Sequence, residues 1–365
     1  MISCPELLSC LEAGGVDFFA GVPDSLLKHF CACLTDTRPE VHIIAANEGG
    51  AVALAAGHWL ATRHPALVYM QNSGQGNAVN PLASLADPDV YSIPMVLLVG
   101  WRGEPGVHDE PQHVKQGKIT LSLFETLGIP TSVLPADEPA ALVLAASAVA
   151  QALAESRPVA LVVRKGIFAP HALQNKPADI ATLRREEAIE GILRALPPSA
   201  VVVSTTGMIS REVYETRERH GEGHAHDFLT VGSMGHALMI ALGIAKAQPF
   251  RPVVCLDGDG ASIMQMGNLA IAGQSGCSNL FHIVLNNAAH DSVGGQPTVG
   301  GQINLPAIAA ACGYRNAPSL DTLFDLSQSP SFLEIRVAKG ARPDLGRPKE
   351  PPQTNKALFM ETLSK

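Results

Sequence analysis

Short apolar runs rich in Val, Leu and Ile, bounded by Pro and Gly, recur along this chain: "PALVYMQ", "IPMVLLVGW", "PVALVVRK", "AVVVST", "PVVCLDGDG", "LFHIVLNN" and "SFLEIRV". They are too short for ordinary helices and lack the alternation of a half-exposed strand. Such runs suit the strands of a parallel sheet buried on both faces. "VDFFAGVP" and "EVHIIAA" read as further strands. Between them lie helical stretches, "PELLSCLEAGG", "SLLKHFCACL", "EGGAVALAAGHWLAT", "LRREEAIEGILRAL", "HALMIALGIAKA" and "GNLAIAGQSG". The alternation predicts an α/β protein of two doubly wound domains with mostly parallel sheets. A polar, Pro-containing stretch from Gly166 to Ala181 breaks the pattern. It predicts a first domain at 1–168, a linker at 169–182 and a second domain at 183–365 that includes a Pro-rich C-terminal tail. A length of 365 residues is too great for one core and agrees with two.

Composition narrows the function classes. Hydrophobic residues make up 46% and charged ones 16%, which describes a well-buried globular protein. The net charge of −8 argues against nucleic acid as a partner. The seven cysteines are scattered through apolar segments without zinc-site spacing and read as buried free thiols. Neither a leader-like segment nor a long apolar run is present, so a soluble, cytoplasmic protein without membrane contact is expected. The tract "HGEGHAHD" (His220 to Asp227) fits no zinc pattern and reads as a mobile loop near the pocket.

Two strand ends carry the chemistry. "PVVCLDGDG" runs into Gly258-Asp259-Gly260, and 25 residues later "LFHIVLNN" ends on an Asn pair. In doubly wound sheets ligands sit beyond the carboxyl ends of the strands, so Asp259 and Asn287 face one crevice. The glycines let backbone approach a ligand, and the N–H groups of Gly260 and Ala261 can face a phosphate. A carboxylate, an amide oxygen and a nearby carbonyl form an oxygen-only set that suits Mg²⁺ shared with a diphosphate. In the first half, Glu48 follows an apolar strand and opens a helix of small residues. On the residues alone it is either a helix-start charge or a catalytic carboxyl. Met234, in "GSMG", is either core packing or a prop against a ligand.

The GDG–25–NN pattern, with Glu48 and the two-part layout, resembles the thiamine-diphosphate-dependent decarboxylase family. The resemblance implies the thiamine-diphosphate-binding fold, a pyrimidine domain then a diphosphate domain, with no middle domain. It implies thiamine diphosphate and Mg²⁺ as cofactors, the metal held by Asp259, Asn287 and the carbonyl of Ala289. Glu48 then matches the family's catalytic glutamate, Met234 the prop between the cofactor rings, and the Gly232 carbonyl an acceptor for the amino group. Because each half of the cofactor meets a different chain in this fold, a homo-oligomer, at least a dimer, is implied. One departure stands out: Ala288 occupies a place where glycine is expected, and its methyl strains the loop if φ is positive.

More particular stretches, among them "FFAGVPDSLLKHF", "YMQNSGQGNAVNPL", "GWRGEPGVHDEPQH" and "NNAAHDSVGGQPT", narrow the resemblance. They imply non-oxidative decarboxylation of 3-phosphonopyruvate to phosphonoacetaldehyde and CO₂, as in phosphonate biosynthesis. Asp24 and Ser25 match an active-site acid and its neighbour. His113 and His290 are candidate proton carriers, since imidazole titrates near working pH. Arg102, Lys115 and Arg342 are candidates for the anionic end of the substrate. The alternatives are a sulfopyruvate decarboxylase, disfavoured because that activity is often split over two chains, a carboligase, and a non-catalytic cofactor-binding subunit.

Overall fold

The computed structural model describes residues 1–324 and 329–364. The chain divides into two compact units, one of residues 1–176 and 293–296, the other of 177–292 and 297–365. The division falls inside the stretch read as a linker. No helix among the described residues is long and apolar enough to cross a membrane.

The first unit is built on strands β1 (Phe18–Gly21), β2 (His42–Ile44), β3 (Ala66–Gln71), β4 (Met95–Gly100), β5 (Thr131–Val133) and β6 (Pro158–Val163), all parallel, in the order β2-β1-β3-β4-β6-β5. Every residue of β4 and β6 is buried, as their unbroken apolar sequences require. Two cores result: Phe19, Leu67, Val96 and Leu161 face one layer of helices, and Val68, Met70, Leu97 and Val162 the other. The helices are α1 (Cys4–Ala13), α2 (Lys28–Thr37), α3 (Glu48–Thr62), α4 (Gln75–Pro81), α5 (Pro111–Thr126) and α6 (Glu138–Glu155). Helix α2 starts at Lys28, later than its sequence suggests. The Asp24 carboxylate takes the Leu26 N–H at 2.9 Å and the Asp24 carbonyl takes that of Leu27, which makes a turn first.

The second unit repeats the plan. Strands β7 (Val201–Ser204), β8 (Asp227–Leu229), β9 (Val253–Gly258) and β10 (Leu280–Asn286) join 315–316 and 331–336 in a parallel sheet. The order is 315–316, 331–336, β10, β9, β7, β8. Its helices include α7 (Arg185–Ala195), α8 (Met208–Arg219), α9 (Ala237–Ala247), α10 (Asp259–Met264) and α11 (Gly267–Gly273). Both sheets reverse winding direction beside their first strand, between β1 and β3 and between β7 and β9, where loops part and a crevice opens.

The edge strand β8 is covered. Asn355, on the helix Pro352–Leu363, donates to the Asp227 carbonyl at 2.8 Å and accepts the Leu229 N–H at 3.1 Å. Phe359 of the same helix packs on Phe228. The histidine tract leads into the start of β8, so it lies at the end of the sheet opposite the crevice. Its second half is packed, with His224 stacked on Tyr214 at 4.1 Å and Asp227 fully buried against Arg217, while 220–223 are exposed. The expectation of a loop near the pocket is therefore corrected in its location.

Candidate active site

In the first unit, three chain segments leave the carboxyl ends of β1, β2 and β3 and bring their polar residues to one edge. Glu48 opens α3 and is only 5% exposed. Its Oε2 accepts from Asn77 Nδ2 at 2.7 Å, and burial raises its pKa above the ordinary carboxyl value. A methyl group on Gly74 would collide with Glu48 Oε1, so glycine there leaves room for the carboxyl.

Asp24, in the loop after β1, is completely buried. Burial pushes its pKa up to about 6, against the opposing pull of the Leu26 N–H and the Arg102 charge. Its Oδ1 has no hydrogen-bond partner. Arg102 donates to Ser25 Oγ at 2.8 Å and is gripped by both carboxylate oxygens of Asp109, at 2.8 and 2.5 Å. His113, at the start of α5, is buried with Nδ1 unpartnered, and burial lowers its pKa to about 4. Lys115 is exposed on the same helix.

In the second unit, β9 ends on Gly258 and α10 begins on Asp259, which is 2% exposed. Burial lifts the Asp259 carboxyl to about 6, opposed by the Thr298 hydroxyl and backbone N–H groups of Asn287 and Gly260. Those groups are neutral, so the charge of this carboxylate has dipoles around it but little to cancel it. Gly300 is indispensable to the arrangement, because a methyl there would lie 2.5 Å from Asp259 Oδ2. Asn287, after β10, accepts the Ala289 N–H on Oδ1 at 3.0 Å and donates from Nδ2 to Asp291 at 2.7 Å. Asp259, Asn287, Ala289, His290 and Met234 line one crevice, together with Gly258, Gly260 and Ala261. The His290 ring lies against Gly260, and burial lowers its pKa to about 4. Gly232 lies two residues before Met234 in the same loop.

This donor set fits a hard divalent cation: an anionic oxygen short of positive charge, an amide oxygen and a loop carbonyl. The crevice also fits a diphosphate. Helix α8 starts there at Met208, its N-cap Gly207 giving no side-chain cap, and Thr205 Oγ1 is buried nearby with no partner. Unsatisfied N–H groups at a helix start and a hydroxyl donor are what phosphate oxygens accept from.

Two family models match, "Thiamine pyrophosphate enzyme, N-terminal TPP binding domain" over residues 6–123 and the corresponding C-terminal TPP binding domain over 205–329. A phosphonopyruvate decarboxylase of Streptomyces hygroscopicus is 38% identical, over 99% of this chain and 94% of that relative. The chain belongs to the phosphonopyruvate decarboxylase family of thiamine pyrophosphate enzymes. A second member, from Streptomyces viridochromogenes, is 37% identical over 96% of this chain and 92% of its own length. A sulfopyruvate decarboxylase of Methanosarcina acetivorans is 26% identical over 98% of this chain and 97% of its own length. That relative matches both halves of this chain, so fusion does not disfavour a sulfonate enzyme. Membership makes this chain a thiamine-pyrophosphate-dependent carboxy-lyase.

Several partners of this phosphonopyruvate decarboxylase homologue escape a reading of the sequence. Asn77, Asp109, Thr298 and Gly300 act on site residues across 7 to 41 positions of chain, Arg185 reaches Asp291 across 106, and Glu212 holds Arg185 across 27. Asn77 and Asp109 lie inside stretches that stand out, but nothing in the spacing assigns them a target. Arg342 sits among Glu186, Glu215 and Asp344, a surrounding that repels a phosphonate. His113 and His290 are held neutral by burial. Near neutral pH, Asp24 titrates closer to working conditions than either imidazole.

Proposed function

We propose that the chain decarboxylates 3-phosphonopyruvate to phosphonoacetaldehyde and CO₂ using thiamine diphosphate and Mg²⁺. The near-full-length identity to two phosphonopyruvate decarboxylases, well above that to the sulfopyruvate enzyme, carries the reading. Asp259, Asn287 and the Ala289 carbonyl hold Mg²⁺. The start of α8, Thr205 and the loop of Gly258, Gly260 and Ala261 receive the diphosphate. Met234 and Gly232 bear on the cofactor rings. The cofactor supplies an electron sink for the pair left behind as CO₂ departs.

The protein's own groups handle charge and protons. Glu48, whose carboxyl burial biases toward the protonated form, meets a ring nitrogen of the cofactor. Asp24, with a proton available near neutral pH and one oxygen unpartnered, gives and takes the proton at the reacting carbon. His113 and His290 act as neutral hydrogen-bond donors. Ser25 and Arg102 face the anionic end of the substrate, with Lys115 at the mouth. Asp109 fixes the guanidinium and also cancels much of its charge. As in the fold that this family shares, Glu48 and Asp259 serve one cofactor from two copies of the chain, so the active unit is a homodimer or a multiple of it.

CO₂ release from phosphonopyruvate, sulfopyruvate and pyruvate, with and without thiamine diphosphate and Mg²⁺, tests the reading. Cofactor-dependent release led by phosphonopyruvate is expected. Release led by sulfopyruvate overturns the substrate, and none from any of them overturns the reaction.

A further inference from the structure

Asn287 can serve a cation only one way round. Its Oδ1 and Nδ2 are nearly the same size, and a turn of the amide by half a revolution would present N–H groups to the metal. Something must therefore hold the orientation. The Ala289 N–H holds Oδ1 at 3.0 Å, and Asp291 Oδ2 accepts from Nδ2 at 2.7 Å.

Asp291 is itself fixed. The same Oδ2 accepts from Arg185 Nη1 at 2.7 Å and from the Gly340 N–H at 2.9 Å. Arg185 is buried, 4% exposed in its side chain, and its other nitrogens grip both oxygens of Glu212 at 2.7 and 3.0 Å. A further bond runs from Arg185 Nη2 to the Gly340 carbonyl at 3.1 Å. Asn287, Arg185 and Gly340 thus converge on one Asp291 carboxylate oxygen, and Glu212 holds Arg185 from behind. With one guanidinium against two carboxylates, the trio carries a formal charge of −1.

We infer that Asp291 is a positioning residue for the metal site: it locks the Asn287 amide with its oxygen toward the cation, and Arg185 with Glu212 holds it in place. The inference rests on the proposed Mg²⁺–diphosphate site. Partners that orient a ligand in this manner typically change metal affinity by about 10–100-fold when removed. Asp291→Asn can keep the acceptor while losing the charge, so it should cost less than Asp291→Ala. Replacing Arg185 is a poor test, because the buried Glu212 carboxylate would be left without its ion-pair partner and the unit would be strongly destabilised.

The test is calorimetric titration of Mg²⁺ in the presence of thiamine diphosphate, for the unaltered protein, Asp291→Ala, and Asp291→Ala combined with Asn287→Asp. A carboxylate at 287 offers oxygen whichever way it turns and needs no orientation. The expected result is Mg²⁺ affinity about 10–100-fold weaker in Asp291→Ala and recovered in the double variant. Unchanged affinity in Asp291→Ala overturns the inference. So does a loss that the double variant does not recover, since Asp291 would then act on the fold rather than on the amide. Failure of the unaltered protein to bind the pair would instead overturn the proposed metal site.

Discussion

Replacing Asp24 by Asn should make the protein more stable while abolishing most of its activity. Asp24 is completely buried and its carboxyl sits at about 6 instead of 3.8. A shift of about two units, at 1.36 kcal/mol each, is a cost of about 3 kcal/mol for keeping the group ionised at neutral pH. The sign follows from the direction. A raised carboxyl favours the folded state fully below its unfolded pKa, and that contribution is lost as pH climbs through the folded value. The cost therefore grows between about pH 4 and pH 6 and is constant above. An amide at position 24 keeps an acceptor for the Leu26 N–H and removes the charge.

Denaturant unfolding of both proteins at about pH 4, 6 and 7.5 should show a gain for Asp24→Asn of about 2–3 kcal/mol at the highest pH. The gain should shrink toward zero at the lowest. Asp259 titrates in the same window, but it is common to both proteins and drops out of the difference. CO₂ release should fall by about 10²–10⁴-fold if Asp24 moves the proton. A variant no more stable at pH 7.5, or one whose gain persists undiminished at pH 4, would refute the reasoning.

Gly74→Ala should displace the Glu48 carboxyl without touching it. CO₂ release should drop about 10²-fold or more, as in Glu48→Gln, for about 1–3 kcal/mol of stability; unchanged turnover would show that the carboxyl is not where the chemistry needs it. Ala288 has φ of 55°, so the expected strain is present. Ala288→Gly relieves about 1–2 kcal/mol, against about 0.4–1 kcal/mol of chain entropy and about 0.8 kcal/mol for the buried methyl. The unfolding midpoint should barely move, and a loss above about 2 kcal/mol would mean that the methyl's packing outweighs its strain.

The strands, and the placing of Asp259 and Asn287 at one crevice, were legible because their signals are local. A short apolar run bounded by Pro and Gly suits a strand buried on both faces, and a strand end brings Asp259 and Asn287 to the crevice. Helix α5 was hidden by its polar opening, "PQHVKQGK", and β5 by being three residues long. The lowered pKa of both histidines was not legible, because sequence carries no measure of burial, and burial is what lowers both imidazoles. Arg102 was legible as a cation but not as Asp109's partner. The convergence of Arg185, Glu212 and Asp291 depends on how distant segments pack, so no spacing announces it.

Asn355 deserves its place at the edge of the second sheet for a reason unrelated to catalysis. Its amide makes, on β8, a donor and an acceptor contact of the kind a neighbouring strand's backbone would make. A sheet edge left open is a template for another chain. With those positions occupied and Phe359 on Phe228, this edge cannot be extended by strand addition. Whatever packs at this end therefore meets helix and side-chain surface instead of open strand backbone.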